Sequence, residues 1–120
     1  MSPLTLAFVG DAVFELLVRG KLIMRGNSPV NKLHKHTVEL VCASAQCKAI
    51  KILMPMLTEE ELGMYKRGRN THNNVPKNAD AAEYRSATGL ETLFGYLYVK
   101  GDTKRQQELF EEIWTQMNRG

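Results

Sequence analysis

The chain has 120 residues, a length that suits one domain with its own hydrophobic core. Its content of 43% hydrophobic and 24% charged residues is ordinary for a soluble globular protein. No apolar run approaches the ~18 residues that span a bilayer, and no secretory signal precedes the first predicted helix. We therefore expect one soluble, cytoplasmic domain over residues 1–120, with no membrane association.

The basic residues are unevenly distributed, although the formal net charge is only +3. Residues 19–51 contain seven lysines and arginines against one acid, and residues 66–77 contain four more against none. Such segregation is typical of a surface that binds a polyanion, but a solvated basic face has the same pattern. The charge pattern alone leaves both interpretations open.

The periodicity of apolar residues predicts an all-α fold of about five helices. Thr58 and Glu61 have the spacing of a capping box, and Asp102 is a plausible N-cap. The longest predicted loop covers residues 69–78. The predicted helices run from about Leu4 to Met24, with Gly20 a candidate break, from Val30 to Leu53, from Thr58 to between Lys66 and Gly68, from Asn78 or Asp80 to Lys100, and from Asp102 to Asn118.

The two cysteines, Cys42 and Cys47, fall within the second predicted helix. No Cys/His set with the spacing of zinc ligands accompanies them. We expect two reduced, buried thiols, as is usual for a cytosolic protein.

An aspartate stands in the middle of the first predicted helix, which is apolar nearly all round and is therefore expected to be buried on most sides. Asp11 is a poor helix former and is costly to bury unpaired. Gly10, just before it, indicates that another backbone approaches closely. Glu15 follows one turn later on the same face. Departures from local preference of this kind mark Asp11 as a candidate functional residue.

A second carboxylate, Glu91, lies in an apolar part of the fourth predicted helix, too far from the helix start to act as a cap. It is either paired with a base such as Arg85 or Lys48, or it has a functional role. At 100° per residue, one stripe of this helix contains four residues: Asp80, Tyr84, Ala87 and Glu91.

If the two helices pack together, Asp11 and Glu91 meet. Two carboxylates with open coordination positions suit Mg²⁺, with Mn²⁺ as a substitute, and such a metal supports phosphodiester hydrolysis.

Five segments resemble a known family. Ala7-Phe-Val-Gly-Asp-Ala-Val13 resembles the signature helix of the ribonuclease III family, and Leu90-Glu-Thr-Leu-Phe-Gly-Tyr-Leu-Tyr98 resembles the segment that carries its second essential acid. Residues 62–70, 76–80 and 84–91 are similar to the Mini-ribonuclease III subgroup. The resemblance extends from Leu4 to about Lys100.

This resemblance implies an all-α ribonuclease III-type endonuclease domain that acts as a symmetric homodimer on double-stranded RNA. Asp11 and Glu91 match the family's catalytic, metal-binding acids. The subgroup lacks a double-stranded-RNA-binding domain and trims stems of precursor 23S ribosomal RNA; help from a ribosomal protein is left open. The apolar first helix is the natural dimer interface.

Two positions depart from the larger enzymes of the family, which have a glutamate in place of Ala7 and an aspartate in place of Thr88. Fewer fixed carboxylates leave the number of metals open, with Glu15 or Glu83 as candidate replacements. We expect Glu15, Thr88 and Tyr84 to lie beside the metal ligands.

The segment of residues 66–77 is suited to duplex RNA, which is recognised mainly by its shape and its phosphates. Arginine binds phosphate through a planar fork, and asparagines add neutral hydrogen bonds. A mobile solvated loop is the alternative. The predicted RNA-binding residues are Lys66, Arg67, Arg69, Asn70, Lys77, Asn78 and Arg85.

Two other functions remain open. A catalytically silent ribonuclease III-like protein would bind RNA without cutting it, although such a binder has no need for both Asp11 and Glu91. A helical dimer that binds protein partners would use its basic face only for solubility. Such a protein would bind no RNA, or its RNA binding would be insensitive to salt.

Overall fold

The computed structural model describes residues 1–71 and 74–118 and contains only helices within them. This confirms the predicted all-α fold. A short 3₁₀ helix, Met54–Met56, lies between the third and fourth α-helices. The α-helices are α1 (Pro3–Ile23), α2 (Val30–Val41), α3 (Ala43–Leu53), α4 (Glu59–Asn70), α5 (Ala81–Lys100) and α6 (Thr103–Met117).

The second predicted helix is two helices, because Cys42 adopts an extended conformation with φ −66° and ψ 161°. The resulting bend lets α2 pack on α1 while α3 packs on α5 and α6. Helical hydrogen bonds continue on both sides of the bend: the Cys42 amide donates to the Val38 carbonyl, and the Gln46 amide donates to the Cys42 carbonyl. The prediction of one helix from Val30 to Leu53 was therefore wrong.

The same bend determines the environment of the thiols. Cys42 is exposed and Cys47 is partly buried. The prediction that both thiols are buried was wrong, because Cys42 lies at the bend and outside a packed helical face. The Ser44 hydroxyl, 3.4 Å from the Cys42 sulfur, lowers the pKa of this thiol.

Side-chain caps define the starts of three other helices. The Thr58 capping box is present, and the side chains of Asp80 and Asp102 cap α5 and α6. Helix α1 continues without a break through Gly20. Helix α4 extends to Asn70, beyond the predicted end near Gly68, so part of the predicted loop is helical.

The core forms around α5, which packs against α1, α3, α4 and α6. Three aromatic rings join α1, α5 and α6: Phe14 meets Phe94 edge-on at 5.4 Å between centroids and Phe110 at 5.7 Å. Leu90 and Leu93 of α5 are completely buried beside them. None of the described helices is long and apolar enough to cross a membrane.

Glycines set the close crossing of α1 and α5. A Cβ added to Gly10 would overlap the carbonyl oxygen of Glu91, and one added to Gly95 would overlap the carbonyl oxygen of Leu6. The predicted close approach at Gly10 is thus confirmed. Because Asp11 follows Gly10, the crossing places Asp11 beside Glu91.

The outer face of α1 differs from the prediction. Phe8 is 83% exposed, Leu16 71% and Ile23 62%, and Asp11 is exposed as well. The prediction that α1 is buried on most sides was wrong for the single chain, since α2, α4, α5 and α6 cover only its inner face.

An ion pair between Arg105 and Glu61 links the start of α6 to the start of α4. The Arg105 guanidinium donates to both carboxylate oxygens of Glu61, at 2.8 and 2.9 Å, and to the carbonyl oxygen of Met56 at 2.8 Å. The hydrogen bond from Arg105 holds the pKa of Glu61 below its ordinary value.

Candidate active site

A cleft between α1, α3 and α5 contains both carboxylates that the sequence singled out. This confirms that the two helices pack together and that Asp11 and Glu91 meet. The cleft is lined by Asp11, Val41, Ala43, Gln46, Tyr84, Ala87, Thr88 and Glu91.

The electrostatics of the cleft are unfavourable for two ionised carboxylates. Glu91 is mostly buried, and this burial, together with the charge and hydrogen bonding of Asp11, raises its pKa to about 8. None of the ion pairs formed within the described ranges involves Asp11 or Glu91. The alternative in which Arg85 or Lys48 neutralises Glu91 therefore finds no support.

This donor set fits a divalent cation such as Mg²⁺. The two carboxylates supply hard oxygen ligands from two rigid helices, and a bound cation would relieve their mutual repulsion. Across residues 1–71 and 74–118, no cluster of three or more acidic, histidine or cysteine side chains offers a larger ligand set. The remaining ligand positions would fall to water and to the phosphate of a substrate.

The residues predicted to surround the ligands fall into two groups. Tyr84 and Thr88 line the cleft, and the Thr88 hydroxyl donates to the Tyr84 carbonyl oxygen at 3.1 Å. Glu15 lies outside the cleft lining and pairs with Arg19 at 2.9 Å. Glu83 belongs to the first turn of α5 and is not part of the lining either.

The sequence reasoning missed one polar residue of the cleft, Gln46 of α3. Its side chain is 2% exposed, and its nearby amide lowers the pKa of Glu91, opposing the effects of burial and Asp11. The only signal in the sequence is a polar side chain within a run of small, apolar residues, which is weak evidence for a site.

The comparisons with known proteins agree with one another. Residues 4–102 match the family model of the ribonuclease III domain. The chain is similar to the Mini-ribonuclease 3 of a Thermoanaerobacter strain, at 46% identity over 92% of this chain and 79% of that protein. It is similar to the Mini-ribonuclease 3 of Symbiobacterium thermophilum at 45% identity, over 100% of this chain and 93% of that protein. A crystal structure of a Fusobacterium nucleatum protein superposes with a TM-score of 0.87 at 28% identity, covering 98% of this chain and 94% of that one.

The chain belongs to the ribonuclease III family, in its Mini-ribonuclease 3 subgroup. It is therefore a ribonuclease III-type endoribonuclease, and the likeness to the solved structure agrees with the helical fold.

In this ribonuclease III domain the predicted RNA-binding residues lie in three places. Lys66, Arg67, Arg69 and Asn70 occupy the last turns of α4, so the predicted position of Arg69 and Asn70 in a loop was wrong. All four are at least partly exposed, and the Arg69 guanidinium lies 5.5 Å from the ring centre of Tyr65.

Lys77 and Asn78 are exposed in the turn before α5, and Arg85 is exposed on α5 itself. His72 and Asn73, from the same predicted loop, lie outside the described residues. None of these seven predicted residues belongs to the cleft lining.

Proposed function

We propose that this ribonuclease III-family protein is a metal-dependent enzyme that cleaves double-stranded RNA, with Asp11 and Glu91 as its metal-binding catalytic residues. The observation that carries the proposal is the meeting of these two carboxylates in one cleft without a basic partner among the described residues. A carboxylate pair with a structural role would be expected to have a basic side chain as its countercharge, whereas in a metal site the bound cation is the countercharge.

The chain's own residues would bind and orient the cation and the scissile phosphate. Both carboxylates must be ionised to coordinate a cation, so Glu91, with its pKa of about 8, has to release its proton when the metal binds near neutral pH. Tyr84 and Thr88 shape the wall of the cleft on α5. When bound, Mg²⁺ or Mn²⁺ would supply an activated water and neutralise the charge that develops on the phosphate.

The substrate we propose is a duplex, and within the cell a stem of precursor 23S ribosomal RNA in the cytoplasm. Support comes from the exposed basic residues at the end of α4 and in the turn before α5, which suit the phosphate backbone of an RNA helix. Neutral asparagines in the same segments add hydrogen bonds without sequence preference.

We further propose a homodimer formed through α1. Phe8, Leu16 and Ile23 form a stripe of large exposed apolar side chains along one face of this helix. Such a patch is typical of a protein interface, and a two-fold dimer buries the same patch on both copies. Two clefts in one dimer would allow each copy to cut one strand of a duplex.

The substrate class is tested by comparing a labelled RNA duplex, one of its single strands and a DNA duplex of the same sequence. We expect Mg²⁺-dependent internal cleavage of the RNA duplex alone, abolished by EDTA. Equal cleavage of the single strand would contradict a duplex substrate, and cleavage in EDTA would contradict the metal requirement. A precursor stem of 23S ribosomal RNA, cut at a defined position, would support the cellular role.

A further inference from the structure

The buried amide of Gln46 lies in the cleft but has no role in the proposed metal site as described so far. Gln46 is 2% exposed, and its Nε2 atom has no hydrogen-bond partner of ordinary geometry within residues 1–71 and 74–118. Buried amide groups in native proteins nearly always have partners, so an unsatisfied one needs an explanation.

The surroundings of Gln46 point to Glu91. Both side chains line the same cleft, Gln46 from α3 and Glu91 from α5, and α3 packs directly on α5. An amide donor in the same cleft favours the ionised form of a neighbouring carboxylate.

A second buried amide provides an internal comparison. The Nε2 atom of Gln106 on α6 also has no partner among the described residues, but Gln106 is not part of the cleft. The two glutamines share burial and an unused donor, and of these two only Gln46 lines the cleft that contains Asp11 and Glu91.

We propose that Gln46 is a positioning residue: its amide donates a hydrogen bond to the ionised Glu91 carboxylate and holds the other carboxylate oxygen toward Asp11 and the bound cation. This inference rests on the proposed metal site. Because Nε2 is buried, this role is favoured over a direct contact with RNA.

The physical reason for such a residue is the freedom of a glutamate side chain. Glu91 has several rotatable bonds, and Asp11 repels it when both are ionised. A donor on the separate, packed helix α3 restricts the carboxylate to one orientation before the cation arrives. Partners of metal ligands commonly have this effect on affinity.

The test replaces Gln46 with methionine, which has a similar length and volume but no donor. Gln106→Met is the matched control, and Gln46→Ala is a second variant in case Gln46→Met packs poorly. For each folded protein, Mn²⁺ binding is measured without RNA by electron paramagnetic resonance, and duplex RNA binding is measured in Ca²⁺.

We expect both Gln46 variants to bind Mn²⁺ about tenfold or more weakly than the parent, with duplex affinity unchanged. Gln106→Met should bind Mn²⁺ like the parent. Parental Mn²⁺ affinity in Gln46→Met or in Gln46→Ala would overturn the role of Gln46, as would an equal loss in Gln106→Met.

Glu91→Gln distinguishes a failure of the inference about Gln46 from a failure of the proposed metal site on which it rests. The parent should bind Mn²⁺, and Glu91→Gln should lose that binding. If the parent binds no Mn²⁺, or if Glu91→Gln binds it equally well, the metal site itself is wrong and the inference about Gln46 falls with it.

Discussion

At the scale of single residues, the burial of Glu91 beside Asp11 gives the stability of the protein a pH dependence. Glutamate in an unfolded chain titrates near pH 4.5, whereas burial and Asp11 raise the pKa of Glu91 in the folded protein to about 8. Between these two values the folded protein holds a proton that the unfolded chain has released. The free energy of unfolding therefore falls as the pH rises from 4.5 to 8.

Replacing Asp11 with asparagine should reduce this fall, because it removes the neighbouring charge that raises the pKa of Glu91. In chelator at pH 8.5, we expect Asp11→Asn to be more stable than the parent by about 1 kcal/mol, with little difference at pH 4.5. Urea unfolding at a series of pH values measures this. Glu39→Gln, an exposed change on α2, is the control. Parallel stability curves for the parent and Asp11→Asn would contradict the coupling.

The sequence revealed these two carboxylates because an acid in an apolar helix violates local preference. Gln46 gave no such signal, since a neutral amide is unremarkable in a helix and only its buried position beside Glu91 makes it informative. Metal binding by Asp11 and Glu91 remains a prediction, as do the roles of Tyr84 and Thr88.

At the scale of helices, the crossing of α1 and α5 places the two carboxylates together. The absence of side chains at Gly10 and Gly95 permits the contact between the two backbones. The sequence indicated a close approach at Gly10, but it did not identify the bend at Cys42, where the helical hydrogen bonds continue on both sides.

Gly10→Ala should push α1 away from α5 and separate Asp11 from Glu91. We expect a loss of about 2 kcal/mol in the free energy of unfolding, together with a large loss of RNA cleavage. Gly63→Ala on α4, where an added Cβ meets nothing within 4 Å, should instead stabilise the protein by about 0.5–1 kcal/mol. Chemical unfolding of both variants is the measurement. A stable, active Gly10→Ala would show that the crossing tolerates a side chain.

The ion pair between Glu61 and Arg105 should contribute more than a surface pair. Glu61→Gln keeps a side chain that can complete the capping box but removes the charge facing the largely buried Arg105, so we expect a loss of about 2–3 kcal/mol at pH 7. Glu60→Gln, which breaks an exposed pair with Lys100, should change stability by less than about 0.5 kcal/mol.

The pH dependence of the Glu61 pair has the opposite sign to that of Glu91. Because the pKa of Glu61 is lowered in the folded protein, its contribution is complete above the ordinary value of 4.5 and is lost as the pH falls through the lowered pKa. The difference between the parent and Glu61→Gln should therefore shrink in acid. A constant difference from pH 7 to pH 2 would contradict this account.

At the scale of the whole molecule, the exposed stripe on α1 and the basic end of α4 are the two surfaces that we propose to bind a second copy of the chain and duplex RNA. The sequence showed that α1 is apolar all round, but sequence periodicity cannot distinguish a face covered by the same chain from one covered by a second copy. The single chain leaves Phe8, Leu16 and Ile23 exposed, so their predicted burial was wrong for one copy, and their coverage by a second copy is part of the proposed dimer.

Phe8→Lys should place a charge in the proposed dimer interface and shift the protein to the monomer. Sedimentation equilibrium measures the mass directly, and we expect the weight-average mass to fall to about half that of the parent, with the helical circular dichroism signal unchanged. Val99→Lys introduces the same charge at another half-exposed apolar residue, on α5, and should leave the mass unchanged. A parent that is already monomeric, or a Phe8→Lys variant that remains dimeric, would contradict the proposal that α1 forms the dimer interface.

Arg67→Ala should weaken binding to all RNA duplexes alike, because the exposed Arg67 at the end of α4 is proposed to contact phosphates, whose positions do not depend on sequence. Filter binding in Ca²⁺ with several unrelated duplexes, at increasing salt, measures this, and the salt dependence should become shallower. A loss confined to one duplex sequence would indicate a base contact instead.

The most direct test of the central claim measures cleavage and binding of one labelled RNA duplex by the parent, Asp11→Asn and Glu91→Gln in Mg²⁺. If Asp11 and Glu91 form the catalytic metal site, the parent cuts the duplex, and both variants bind it with similar affinity but fail to cut it. Undiminished cleavage by either variant would contradict the account. So would a parent that binds the duplex and never cuts it, even in Mn²⁺ and with a precursor stem as substrate.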